Sequence, residues 1–243
     1  MSVRSIVSNK GTSGVFVLHL PENPDPTLPA IMYAHGAGGG ALQDVDLLSQ
    51  PSITKMARRI AHAGRVVLSA DWGGAYTFGN DAELAAMEDG WSTLQNLGLC
   101  SSERVVLWGA SMGMMSICRF AQAHPDVVAL INGWVPATDV EDLRTRNVLG
   151  LAANINSAWS IGGSNPVPAR GNQLAQAHLV AGIPTHLWYS KGDTVVTPAT
   201  VEAYAAARDN VTLHVTSLTA DHSDAATSPI TADQQIPILL AAS

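Results

Sequence analysis

Charge is scarce in this chain: Asp, Glu, Lys and Arg make up only 14% of its 243 residues. What charge there is leans acidic, with a formal net charge of −7. That balance offers no basic face of the kind nucleic acids require, and no nucleic-acid partner is expected. Lysine is nearly absent, and the arginines that carry most of the positive charge are scattered rather than clustered. Long apolar runs are missing too. No stretch approaches the roughly 20 residues of a membrane span. Met1–Ser5 holds one basic residue and leads into no apolar run, so no secretory signal is expected. The two cysteines are too few for a disulfide framework. Cys100 and Cys118 are expected as free, buried thiols, although a strand and its returning helix could bring them together. There is no internal repeat and no low-complexity tract.

With 47% hydrophobic residues, the chain can bury a large core, and its length suits one α/β domain over residues 1–243. Segments Val3–Val7 and Val15–Leu20 read as a strand pair around the turn-rich Ser8–Gly14. From Ala30 onward strands and helices alternate. The expected order is strand Ala30–Ala34, helix Ser52–Ala63 stopped by Gly64, strand Arg65–Ala70, and helix Asp81–Leu97 capped by Asn80 or Asp81. Strand Arg104–Trp108, helix Met112–Ala123 and strand Val127–Asn132 follow. Such alternation predicts a mostly parallel sheet with helices on both faces. From Val135 to Gly182 the rhythm breaks into Asn, Gly, Ser and Pro, with only short helical patches such as Thr138–Leu143 and Gln173–Ala181. This segment is expected as a small lid-like insertion over the sheet. Strand Thr185–Ser190, helix Ala199–Arg208 and strand Val211–Thr216 resume the pattern. The tail Ile230–Ser243 reads as a helix interrupted at Pro237.

Gly109-Ala110-Ser111-Met112-Gly113 lies between a predicted strand and a predicted helix. This G-x-S-x-G spacing lets a strand turn sharply into a helix, with a strained serine held exposed at the sheet's C-terminal edge. In isolation the pentapeptide is a weak signal, and its strand–turn–helix context strengthens it. With that context the chain resembles an α/β-hydrolase over nearly its whole length, apart from the 135–182 insertion.

The resemblance implies an α/β-hydrolase fold and a catalytic order of Ser, acid, His. Ser190-Lys191-Gly192-Asp193 ends a strand and is similar to the family's acid loop, which makes Asp193 the orienting carboxylate. Asp139 and Asp142 compete less well, since both fall in the irregular insertion. Leu218-Thr219-Ala220-Asp221-His222 resembles the terminal histidine loop, which makes His222 the base, with Asp221 and Asp224 beside it. His186 and His214 fall inside strands, and His19, His62, His124 and His178 read as structural or surface residues. His35-Gly36-Ala37-Gly38-Gly39-Gly40 occupies the place of the family's oxyanion loop, reading H-G-A-G where the family pattern is H-G-G-G. One oxyanion donor is then the N–H of Met112 and the other that of Ala37 or Gly38, with His35 bracing the loop.

No phosphate-binding G-K-[ST], spaced G-x-G-x-x-G, HExxH or Cys/His cluster is present, so no cofactor and no metal is expected. The implied chemistry is hydrolysis of a carboxylic ester through an acyl-enzyme, and a peptidase or thioesterase shares the same machinery. Met112, Met114 and Met115 suggest an apolar setting for the serine. Trp72, Trp134 and Trp159 are candidate contacts for an acyl chain or a sugar ring, with core packing the equal alternative. The expected partner is a small-molecule, glycan or lipid ester. A weaker resemblance, to hydrolase-fold proteins of actinobacterial phages, adds the alternative of a catalytically vestigial binding or assembly module. It also leaves oligomeric or virion assembly open, and the expected location is cytoplasmic or virion-associated.

Overall fold

The computed structural model describes residues 3–9, 14–40, 51–162 and 165–243. Among the described residues eight strands form one sheet: β1 (Arg4–Asn9), β2 (Val15–Leu20), β3 (Ala30–Ala34), β4 (Val67–Ala70), β5 (Val105–Ala110), β6 (Val128–Trp134), β7 (Thr185–Ser190) and β8 (Val211–Ser217). Their order is β1-β2-β4-β3-β5-β6-β7-β8. The β1–β2 and β2–β4 pairs are antiparallel, and every later pair is parallel. The expected turn between β1 and β2 falls largely on residues 10–13, outside the described residues.

The strands read as nearly unbroken apolar runs because both faces are covered. Alternate side chains separate into two cores. Met32, Leu68, Leu107, Ile131 and Leu187 pack under α2 (Asp81–Leu97), α3 (Gly113–Ala123) and α6 (Pro198–Ala206). Their neighbours Ile31, Val67, Val106, Leu130 and Trp188 pack under α1 (Pro51–His62) and α8 (Pro229–Ala241). Helix α2 begins where its residues dictate. The Asn80 side chain accepts the Glu83 N–H at 2.9 Å, and Gly98 ends the helix at φ 62°. Among the described residues no helix is long and apolar enough to cross a membrane.

Several boundaries differ from the sequence reading. Strand β6 runs on to Trp134, and β5 includes Gly109 and Ala110, because parallel neighbours supply ladder bonds beyond the last strongly apolar residue. The tail is one helix through Pro237 rather than two pieces. Pro237 lies on the exposed side, where water can serve the carbonyl it leaves unbonded, while Ile236 and Leu239 are buried against the sheet. A short helix α7 (His222–Thr227) precedes it. Between β6 and β7 lie α4 (Val140–Arg146) and α5 (Ala152–Ala158), and only 3-10 turns occur where a helix over Gln173–Ala181 was expected. Val140, Leu143, Leu151, Ile155 and Val167 of this segment join the same core as α2 and α3. Cys100 and Cys118 are both free and buried, and burial pushes the Cys100 thiol up to about 11.

Arg208 fastens the end of that segment to the sheet. Its guanidinium donates to the Tyr204 hydroxyl at 2.7 Å, the Val180 carbonyl at 2.6 Å and the Thr185 hydroxyl at 2.9 Å. Truncation would strand these buried acceptors together. Arg208→Ala is therefore expected to lower stability by about 3 kcal/mol, read as a fall in the urea midpoint at unchanged slope. A midpoint equal to wild type would show that the network carries no weight.

Candidate active site

Ser111 follows directly on β5 and sits at φ 51°, in the left-handed region. Such a conformation costs of order 1–3 kcal/mol in a non-glycine residue and persists only where surrounding contacts impose it. Here the Ser111 N–H donates to the Trp134 carbonyl at 2.9 Å, and the Ser111 carbonyl accepts the N–H groups of Met114 and Ala137, each at 3.0 Å. The flanking glycines make room for the turn. A Cβ on Gly109 would lie 2.7 Å from the Gly113 carbonyl oxygen, and one on Gly113 would lie 2.1 Å from that of Ala34.

Asp193 stands three residues beyond the end of β7 and is 4% exposed. Its Oδ1 accepts the N–H groups of Val195 at 2.9 Å and Val196 at 2.8 Å. The other oxygen, Oδ2, faces His222 Nδ1 at 2.7 Å. His222 opens α7, and its Nε2 lies 2.9 Å from Ser111 Oγ. A carboxylate accepts and does not donate, so Nδ1 carries the proton and Nε2 is left to accept from the hydroxyl. The three residues drawn from distant parts of the sequence thus form one hydrogen-bonded chain. Asp221, placed beside the histidine by the sequence, is engaged in capping α7 through the Asp224 N–H at 3.0 Å. The competing acids are engaged elsewhere. Asp139 caps α4, and Asp142 pairs with Arg146.

The loop after β3 brings Gly36 alongside: a Cβ on that residue would lie 3.4 Å from Ser111 Cβ. Of the two alternatives for the second donor, Gly38 gives its N–H to the Ala75 carbonyl at 2.8 Å. The N–H groups of Ala37 and Met112 have no hydrogen-bond partner among the described residues.

The three tryptophans do not line an opening. Trp72 and Trp134 are fully buried, and Trp159 nearly so. Their indole N–H groups donate inward, to the carbonyls of Tyr33 at 2.7 Å, Ala225 at 2.9 Å and Phe78 at 3.2 Å. Core packing, one of the two sequence readings, describes their placement. Met112, Met114 and Met115 are likewise buried in the main core rather than facing a cleft. Sequence alone cannot weigh indoles at strand ends, because burial depends on what the intervening segment covers.

Two supporting residues escaped the sequence reading. Arg146, at the end of α4, donates to the carbonyls of Thr194 at 3.1 Å and Val195 at 2.8 Å, which secures the acid loop. Ser190 donates to the Ala220 carbonyl at 2.6 Å and thereby ties the end of β7 to the loop that carries His222. Neither has a local signal, since both act on residues distant in sequence.

No family model matches the chain, and no curated protein sequence matches it. Solved structures do resemble it. The fluorophosphonate-binding serine hydrolase FphF of Staphylococcus aureus superposes with a TM-score of 0.72 over 98% of each chain, at 14% identity. Esterase B of Lactobacillus rhamnosis, inhibited by a tributyrin phosphonate, gives 0.75 over 98% of this chain and 85% of its own, at 13% identity. An α/β-hydrolase enzyme from a Moroccan lagoon-sediment metagenome gives 0.64 over 96% of each chain, at 14% identity. At such identities the likeness is one of architecture, and the architecture of this chain is the α/β-hydrolase fold.

Proposed function

We propose that this protein is a serine hydrolase that cleaves carboxylic esters through an acyl-enzyme on Ser111. The observation that carries the reading is the continuous contact from Asp193 through His222 to Ser111, at 2.7 and 2.9 Å. In the acylation step His222 Nε2 takes the Ser111 proton as Oγ bonds to the ester carbonyl carbon. The carbonyl π electrons move to its oxygen, which accepts hydrogen bonds donated by the N–H groups of Met112 and Ala37. As the tetrahedral adduct collapses, the imidazolium returns its proton to the departing alcohol. Water then enters by the same route and releases the acid. Asp193 stays ionised throughout and holds the ring in the productive orientation. The folds of FphF and esterase B, whose descriptions name a serine hydrolase and an esterase, support the reading at the level of fold. The hydrogen-bonded chain of Asp193, His222 and Ser111 favours an enzyme over the vestigial binding module or the phage-associated role.

A fluorophosphonate probe tests the proposal directly. Wild type is expected to label to near one equivalent and Ser111→Ala not at all. Equal background labelling of both would remove the hydrolase reading. A panel of p-nitrophenyl esters of rising chain length, run beside acetylated sugars, then identifies the acyl and alcohol groups.

A further inference from the structure

Strand β8 closes one edge of the sheet, and none of its seven residues is buried. Its neighbour β7 is buried almost throughout. An edge strand with so little apolar burial depends on its ladder and on what its side chains grip. Here the grip is made by two imidazoles. His186 Nδ1 on β7 lies 2.8 Å from His214 Nε2 on β8. The ring centroids are 5.1 Å apart and the planes differ by 16°, so the rings meet edge to edge, nitrogen facing nitrogen. The other contact of His214 is face to face, on the Trp188 indole at 3.8 Å and 8°. Trp188 donates from Nε1 to Asn132 Oδ1 at 2.9 Å, and Asn132 donates to Gln235 Oε1 at 2.7 Å. The pair is thereby tied through β7 and β6 to α8.

Two nitrogens at 2.8 Å hold one proton between them: one ring donates its N–H and the other offers a lone pair. The outer nitrogens, His186 Nε2 and His214 Nδ1, have no hydrogen-bond partner among the described residues and are not sealed from water. A first added proton can enter at the bare outer nitrogen of the donor ring, and the contact becomes a charge-assisted hydrogen bond. A second would set N–H against N–H and cation against cation, so the contact must part. Burial lowers His186, and burial followed by the field of His186 lowers His214. The remaining strands of this face add no charge, since β6 and β8 carry no other titratable side chain. Asp233, the one charged residue of α8, pairs with Arg59. Tyr189 of β7 belongs to the opposite core, where it donates to Glu202 beside Lys191.

We propose that His186 and His214 form a one-proton clasp on β8, closed while the pair carries at most one positive charge and opened by acid when a second proton enters. Opening frees the His214 ring from Trp188 and weakens the hold of β7 on the edge strand. Strand β8 ends at Ser217, five residues before His222, so the clasp bears on the strand that leads into the proposed base. The proton count itself is independent of the hydrolase reading.

The test is NMR of the full chain labelled with ¹⁵N-histidine, titrated from pH 8 to pH 4. At pH 7.5 a ¹⁵N–¹⁵N coupling across the hydrogen bond is expected between His186 Nδ1 and His214 Nε2, one of them protonated and the other bare. Absence of that coupling would overturn the shared proton. On acidification the first proton is expected below the ordinary value of about 6.5, with the coupling kept. The second is expected at least about one unit lower. There the coupling and the upfield ring-current shift of the His214 ring protons should vanish together, while the amide signals of the fold persist. Two independent titrations near 6.5, a coupling that survives both protons, or loss of the whole fold before the second proton would each overturn the clasp. The rings are assigned from the signals lost in His186→Gln and His214→Phe. Should either variant not fold, His214 is assigned in wild type through its contact with the Trp188 indole. Because both groups are lowered, the neutral pair's contribution to stability is full above about 6.5 and is lost as the pH falls through the lowered values. His214→Phe keeps a ring for Trp188 to stack on and removes the titrating pair. Its urea midpoint is therefore expected to fall less than that of wild type between pH 7.5 and pH 5, and an equal fall would show that the clasp carries no weight.

Discussion

Replacing Ser111 by Ala is expected to lower kcat for an activated ester by about 10⁶, and His222→Ala by nearly as much. The double variant should be no slower than either single one. In the proposed mechanism the hydroxyl and the imidazole act in a single event, for His222 Nε2 is the atom facing Ser111 Oγ. With either absent the acyl-enzyme route is closed, and only the oxyanion amides and substrate binding remain. Asp193→Asn is expected to cost about 10⁴, a smaller loss that separates orientation from proton transfer. An amide in that place can present N–H to His222 Nδ1, which reverses the tautomer while leaving the packing intact. Stopped assays at high enzyme concentration suffice to measure all four. Additive losses in the Ser111/His222 double variant would mean that the two groups do not act together.

Gly113→Ala is expected to have the largest effect on stability, more than about 4 kcal/mol. The backbone of Gly113 has no positive φ, so the added methyl fails for want of space rather than for conformation. It would stand 2.1 Å from the Ala34 carbonyl oxygen and 2.8 Å from that of His35, both main-chain atoms at the end of β3. Relief requires α3 to retreat from β3, which would separate the Met112 amide from the loop that holds Ala37. Stability and turnover should therefore fall together. Gly98→Ala is the contrast. Gly98 sits at φ 62° with nothing within 4 Å of a new Cβ, and the substitution should cost only the left-handed conformation, about 1–2 kcal/mol. Thermal unfolding measures both, with a Tm drop above about 8 °C expected for Gly113→Ala. A Gly113→Ala protein melting with wild type would refute the close approach of α3 to β3.

Local pattern carried much of this. The alternation of apolar runs with helical spacing specified a parallel sheet covered on both faces, because strands buried twice must be apolar throughout and their crossover helices must be amphipathic. Gly109, Ser111 and Gly113 were legible because the turn demands small residues at fixed offsets. Asp193 and His222 were singled out by the resemblance of their loops to those of α/β-hydrolases, and folding brings both within hydrogen-bonding reach of the Ser111 site. Tertiary structure decided the rest. Trp72, Trp134 and Trp159 looked available for a substrate and prove to be interior, since burial is set by elements far away in sequence. Arg146 and Ser190 reveal their part only through bonds to the carbonyls of Val195 and Ala220. That the Gly38 N–H is engaged by the Ala75 carbonyl rests on a contact across a gap that no spacing rule spans. A sequence determines which groups a segment can offer, but whether a buried N–H, indole or carboxylate is already satisfied depends on long-range neighbours, and those exist only once the chain has folded.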